Sequence, residues 1–361
     1  MANPDAMTFQ PGFDLGQLET HLRSRLGSAG SIERFEPTSG GLSNPTFFLD
    51  FGGQRLVLRK QPPGPIMPSA HAIDREYRVL TAIEGSGIPV PAPILYEEDA
   101  SIIGTPFYLM DAVEGEVFQQ ASMPGLEPAI RRASYLSMAE TMADIHRLDW
   151  RAAGLGDYGR TGNYFARQFS RWSRYWREEA HRDNPALDAL TTWIENQPGP
   201  KDEIASLCHG DMKLNNFIFD TACGKVAGVI DWELSTIGHP FADLGFNTMA
   251  FPLSPEEYGG LRGLDLAELG IPSQEEYLDT YYARLGRPER MTPYHQAFAL
   301  FRAAVGAESV RHRAAHGLGV SQESEATGAR LGIVFATRGL EIAQSTDPLR
   351  DAQQGGRTDE P

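Results

Sequence analysis

Cysteine is nearly absent from this 361-residue chain, which contains only Cys208 and Cys223. Two thiols are too few for a disulfide framework or a four-cysteine zinc site, so both are expected to be reduced. Positive charge is also short: 32 Lys and Arg against 48 Asp and Glu leave a formal net charge of −16. Duplex DNA or RNA needs clustered cations, so nucleic acid is not expected as a partner. A small anionic ligand stays possible, because it needs only a local basic patch. No apolar run reaches about 18 residues, so no membrane span is expected. The first residues, MANPDAMTFQPGFD, carry neither a basic start nor an apolar segment, which argues for a cytoplasmic protein.

The length, with 41% hydrophobic residues, suits two lobes that each bury a core. DLGQLETHLRSRLG places Leu15, Leu18, Leu22 and Leu26 at helical spacing. IERFEPT, TFFLDF and QRLVLRKQ then read as consecutive antiparallel strands, the last two joined at Gly52-Gly53. AHAIDREYRVLTAI reads as a helix, and PILYEE and TPFYLMDAV as two more strands ending near Gly115. Beyond residue 128 the pattern is helical, apart from one β island around IASLCHGDMKLNNFIFD and VAGVIDWE. The expectation is a bilobal, protein-kinase-like α+β fold. Residues 1–115 form a β-rich N-lobe, 116–345 a mainly helical C-lobe, and 346–361 a disordered tail.

HGDMKLNN is the strongest chemical signal. A kinase catalytic loop pairs His-x-Asp with an Asn five residues after the Asp. The carboxylate takes the acceptor hydroxyl's proton, and the amide oxygen holds Mg²⁺ against the phosphates. Asp211 and Asn216 fit those parts, with Lys213 between them on the nucleotide side. Asp231 ends the apolar strand VAGVI, and a carboxylate at a strand end is the second magnesium ligand such a site requires.

The N-terminal half supplies a nucleotide side. In SGGLSNP, the N–H groups of Gly40, Gly41, Leu42 and Ser43 are placed to cover phosphates, with Asn44 following. In LVLRK, strand alternation puts Val57 and Arg59 on one face, and Leu56, Leu58 and Lys60 on the other. Arg59 is the favoured phosphate-binding cation, and Lys60 is the alternative. Glu76 is its expected helix-borne partner. FYLMDAV reads as a hinge whose Met110, Asp111 and Val113 offer backbone groups to adenine.

These motifs, HGD…N, IDWE, SGGLSN and VLR, resemble the aminoglycoside phosphotransferase and choline kinase superfamily. PPGPIMPSAHAIDREYRVL, IHRLDW and GLGDYGRTGNYFARQFSRW are similar to the kinase-like domain fused to certain acyl-CoA dehydrogenases. The resemblance implies an ATP- and Mg²⁺-dependent kinase with the nucleotide between its lobes. It further implies a hydroxyacyl-CoA or hydroxy acid as acceptor, and Asp243 as a brace of the catalytic loop. The short stretch after Asp231 has no Ala-Pro-Glu, which disfavours protein substrates.

For the acceptor side, Phe165, Phe169, Trp172 and Trp176 share one helical face, and Arg167, Arg171 and Arg174 lie almost opposite. Arg171, Arg174, Glu233 and Arg302 are the candidates for meeting an anionic acceptor. His312 and His316 stand at i, i+4 without a third ligand and read as a solvated helix face. An aminoglycoside or choline-type kinase, or a nucleotide-binding pseudokinase, would share many of these features.

Overall fold

The computed structural model describes residues 12–38, 44–64, 72–200, 204–317 and 322–345. The chain divides into two units, Met1–Gly115 with Ala227–Ser235, and Glu116–Val226 with Thr236–Pro361. The Gly-rich loop 40–43 and the expected tail 346–361 lie outside the described residues.

The first unit is built on a five-stranded sheet in the order β1-β2-β3-β5-β4. Its strands are β1 (Ile32–Pro37), β2 (Thr46–Phe51), β3 (Gln54–Lys60), β4 (Pro93–Glu97) and β5 (Phe107–Asp111). All neighbours pair antiparallel. Gly52 and Gly53 both take positive φ, 58° and 80°, as a two-residue hairpin turn demands. Period-two alternation then sends Leu56 and Leu58 into a core with Leu49, Phe51, Phe107 and Leu109. Helix α1 (Leu15–Leu26) closes that core with Leu18 and Leu22; Asp14 caps its start and left-handed Gly27 ends it. Helix α2 (Ile73–Ile83) buries Ile73, Val79, Leu80, Ile83 and one charge, Glu76. It packs against β4, β5 and a short turn at Trp232–Leu234.

The second unit is mainly helical. Helices α3 (Pro128–Arg147), α4 (Tyr164–Tyr175) and α5 (Pro185–Glu195) precede the short strands β6 (Ser206–Cys208), β7 (Phe217–Asp220), β8 (Lys225–Val229) and β9 (Thr236–Gly238). Strand β6 pairs antiparallel with β9, and β7 with β8, within which the chain enters the first unit. Helices α6 (Pro240–Asn247), α7 (Pro255–Tyr258), α8 (Leu266–Leu269), α9 (Gln274–Leu285), α10 (Pro293–Ala315) and α11 (Gln322–Ser345) follow. Phe165 and Trp176 are buried in the α5–α10–α11 core, and Phe169 and Trp172 pack against it. The aromatic face of α4 is therefore a core stripe. The last turn of that segment, Trp176–Ala180, widens to a π-helix. Among the described residues no helix is long and apolar enough to cross a membrane.

Candidate active site

In the first unit, three carboxylates converge on one cation. Alternation along β3 turns Arg59 away from the Leu56–Leu58 core. Its Nε lies 2.9 Å from Glu76 Oε2, and its Nη2 lies 2.5 Å from Asp231 Oδ1 and 3.7 Å from Glu233 Oε2. Burial opposes charge on Arg59, but Glu76 first, then Tyr108, Asp231 and Glu233, outweigh it and hold the guanidinium protonated. Glu76 feels the reverse conflict. Burial pushes its carboxyl up to about 7, against the attraction of Arg59.

Glu76 also accepts the Trp232 N–H at 3.2 Å, the peptide just after Asp231. Trp232 is fully buried, and its Nε1 donates to Val229 O at 3.0 Å. This anchor fixes the strand end from which Asp231 projects. Asp231 itself sits at φ 69°, ψ 57°, a left-handed conformation that a non-glycine residue keeps only where its surroundings enforce it.

Lys60, the alternative cation, points the other way. Its Nζ donates to Ile103 O at 3.1 Å and lies 4.7 Å from the Phe13 ring centre. Burial lowers its pKa. It is tied to the core side of the sheet, away from Glu76. Glu233, expected on the acceptor side, accepts from Asn44 Nδ2 at 3.0 Å and lies 3.7 Å from Arg59 Nη2. Asn44 is buried, and its bond to Glu233 ties it to the segment just after Asp231. In the hinge, the N–H groups of Asp111 and Ala112 donate to Ala92 O and Arg55 O. The N–H of Val113 has no backbone partner among the described residues. Met110 is buried in β5, and the Asp111 side chain accepts from Gln54.

In the second unit, the catalytic-loop candidates form a compact set. Asn216 lies in a single 3₁₀ turn, Leu214–Asn216, which brings it back over Asp211. Its Nδ2 donates to Asp211 O at 2.8 Å and to Asp211 Oδ2 at 3.2 Å. Lys213 Nζ lies 2.9 Å from the same Oδ2. With its nitrogen turned toward Asp211, the Asn216 amide keeps its oxygen for another partner.

The loop is held from beneath. Asp243 accepts the N–H of His209 at 2.6 Å and of Gly210 at 3.0 Å. Burial alone would raise the Asp243 carboxyl, but bonds from His146 and Gly210, with His209 nearby, hold it below its ordinary value. His146 lies 3.4 Å from Asp243 and 2.7 Å from the Tyr281 hydroxyl. Neither His146 nor Tyr281 was singled out from the sequence, where IHRLDW carries a family resemblance but points to no role for the histidine.

Of the acceptor-side candidates, Arg302 donates to the carbonyl of Gly210. Arg171 and Arg174 are exposed on α4 and form no ion pair among the described residues. The neighbouring arginines are engaged: Arg167 of the same stripe with Arg160 O and, past the end of α4, Arg177 with Glu195 and Arg182 with the buried Glu308. His312 and His316 stack 4.2 Å apart, and no third metal ligand joins them among the described residues.

Residues 34–292 match the model of the phosphotransferase enzyme family. Acyl-CoA dehydrogenase family member 11 of Rattus norvegicus is 40% identical over 345 residues, covering 93% of this chain and 44% of that protein. Acyl-CoA dehydrogenase family member 10 of Mus musculus is 38% identical over 89% of this chain and 31% of its own length. The chain thus spans less than half of these curated relatives. A solved protein from Ralstonia eutropha JMP134, assigned by name to the aminoglycoside phosphotransferases, superposes with a TM-score of 0.83 at 38% identity. That match covers 92% of this chain and 99% of that one. The GDP complex of aminoglycoside 2'-phosphotransferase-IIIa shares the fold, with a TM-score of 0.62 at 17% identity over 90% and 98% of the two chains. Motif spacing, kinase-like α+β fold and family match agree: this chain belongs to the phosphotransferase enzyme family.

Proposed function

We propose that this chain is an ATP- and Mg²⁺-dependent kinase that transfers the γ-phosphoryl group to a hydroxyl of a hydroxyacyl-CoA or hydroxy acid. The observation that carries the reading is the single guanidinium of Arg59 held by both Glu76 and Asp231. A helix-borne carboxylate orienting a phosphate-binding cation, beside a strand-end Asp, is the working arrangement of a kinase nucleotide site.

In this reading Arg59 meets the α- and β-phosphates, and the loop 40–43 with Asn44 covers them. The N–H of Val113 is left to meet adenine, with Met110 and Asp111 beside it. Lys60 takes no part. Asp231 and the Asn216 amide oxygen are hard oxygen donors of the kind Mg²⁺ takes. The ion would neutralise charge on the phosphates. Asp211 accepts the acceptor hydroxyl's proton, and Asn216 and Lys213 fix its carboxylate for that task. Arg171 and Arg174, exposed cations of α4 that form no ion pair among the described residues, are the candidates for an anionic acceptor. The names of the relatives, acyl-CoA dehydrogenase family members, support an acyl acceptor over an amino sugar.

The test is a nucleoside diphosphate release screen with ATP and GTP over hydroxy acids, their CoA esters, aminoglycosides and choline. Release with ATP and a hydroxyacyl compound is the expected result. Turnover of aminoglycosides alone would move the acceptor assignment. Nucleotide binding without release under any condition would make the chain a pseudokinase.

A further inference from the structure

The peptide plane that joins Gly210 to Asp211 carries the Asp211 N–H on one edge and the Gly210 carbonyl on the other. Gly210 has a φ of 84°, and glycine leaves such a conformation at little cost. The loop lies outside the β6 ladder, so this plane needs other restraints. One edge is held weakly, by the Asp211 N–H donating to His209 Nδ1 at 3.3 Å. The two peptides before it are held by Asp243, through the N–H groups of His209 and Gly210. The remaining edge is the Gly210 carbonyl, and the guanidinium of Arg302 donates to it.

Arg302 reaches this carbonyl from α10, 92 positions along the chain. Its neighbours on the helix, Phe298, Phe301 and Val305, are buried, and its guanidinium lies 4.9 Å from the Phe246 ring centre. Among the described residues it forms no ion pair, so its charge is directed at the carbonyl and the ring. A hydrogen bond from a charged donor is shorter and stronger than one between neutral groups. Freeing that plane would free the φ of Asp211 and with it the aim of the Cα–Cβ bond.

We propose that Arg302 is a positioning residue for the catalytic base: with Asp243 it clamps the His209–Gly210 segment and so fixes the direction of the Asp211 carboxylate. This rests on the kinase reading above, and it replaces the acceptor-binding role expected of Arg302 from the sequence. Arg302 then acts on turnover with any acceptor, water included, and not on acceptor affinity.

The experiment compares wild type, Arg302→Met and Arg302→Lys. It measures nucleotide hydrolysis without acceptor, transfer to the acceptor found in the screen, and amide hydrogen exchange of the peptide 207–217. Arg302→Met is expected to slow hydrolysis and transfer alike, by about 10–100-fold, since small misplacements of reacting groups cost that much. The KM for nucleotide and acceptor stays near wild type. Exchange of the 207–217 peptide rises, and Arg302→Lys, which still donates a charged hydrogen bond, recovers part of each loss. Unchanged turnover overturns the proposal. So does a rise in acceptor KM with normal hydrolysis, the pattern of an acceptor ligand. A wild type inactive with every nucleotide would count against the kinase reading itself. Exchange then decides the clamp alone: faster exchange in Arg302→Met supports it, and unchanged exchange removes it.

Discussion

Nη2 of Arg59 lies 2.5 Å from Oδ1 of Asp231, so the strand-end carboxylate is neutralised by the same group that Glu76 grips from α2. The arrangement gives each member a distinct cost of removal. Without Arg59, Glu76 stays buried as an uncompensated acid. Without Glu76, the guanidinium loses its aim but keeps Asp231.

Arg59→Ala is therefore expected to weaken nucleotide binding by about 10–100-fold, the equivalent of one charged hydrogen bond. It should also destabilise the fold, because breaking a buried pair by removing one partner typically costs ~3–5 kcal/mol. Lys60→Ala should lower stability through its lost contacts with Ile103 and Phe13 while leaving nucleotide affinity near wild type. Isothermal titration with ATP and urea unfolding of both variants check the ranking. Stronger loss of affinity in the Lys60 variant would return the phosphate role to that residue.

Asp211→Asn should preserve the loop, because Asn216 still has the backbone carbonyl of residue 211 to bond. The amide cannot accept a proton, so transfer is expected to slow by ~10²–10⁴-fold with nucleotide affinity retained. Single-turnover phosphate transfer and a nucleotide titration measure the two quantities separately. Near-normal transfer would take the base role away from Asp211.

What could be read from the sequence was local. Period-two alternation in β3 separates Arg59 from Lys60 before any contact is known. The five-residue step from Asp211 to Asn216 is a single tight turn, so spacing alone brings those side chains together. Contacts that cross the chain left no such trace. Asn44 and Glu233 meet across 189 positions, and Arg182 reaches Glu308 across 126. Neither periodicity nor composition distinguishes Arg182, which pairs with a buried acid, from the exposed Arg171 and Arg174 shortly before it. The partners of Glu233 and Arg302 were invisible for the same reason. Their charges suit an acceptor, and only the folded chain shows Asn44 and Gly210 as their partners.

Asp231→Ala should abolish transfer in a way that added ATP does not rescue. The substitution removes a hard oxygen donor suited to Mg²⁺, and a nucleotide bound without its ion lacks charge neutralisation at the phosphates. It also leaves Arg59 paired with Glu76 and, more distantly, Glu233, so the fold should survive. Magnesium titration of the residual rate, alongside a thermal melt, tests both statements. Wild-type magnesium dependence in the variant would sink the assignment.

The second unit should be acid-sensitive through two histidines outside the proposed chemistry. Burial pushes the His239 imidazole down to about 3, with the neighbouring His295 and His146 adding to the effect. Burial likewise pushes His295 down to about 4, against a hydrogen bond with Thr292 that works the other way. Both rings therefore stay neutral in the fold, whereas in the unfolded chain they take up protons below 6.5. The unfolded state binds more protons in that interval, so stability rises with pH across it. The contribution is complete above about 6.5 and is lost as pH falls toward about 4 for His295 and about 3 for His239. His239 accepts the Phe241 N–H as the cap of α6, and His295 accepts the Thr292 N–H in a capping box on α10. His239→Asn and His295→Gln keep an acceptor at each position, Asn being a good cap and Thr-x-x-Gln an ordinary box. Urea unfolding at a series of pH values from 7 to 5 should show a falling midpoint in wild type and a flatter profile in the double variant. An equally steep fall in both proteins would assign the acid sensitivity to carboxylates instead.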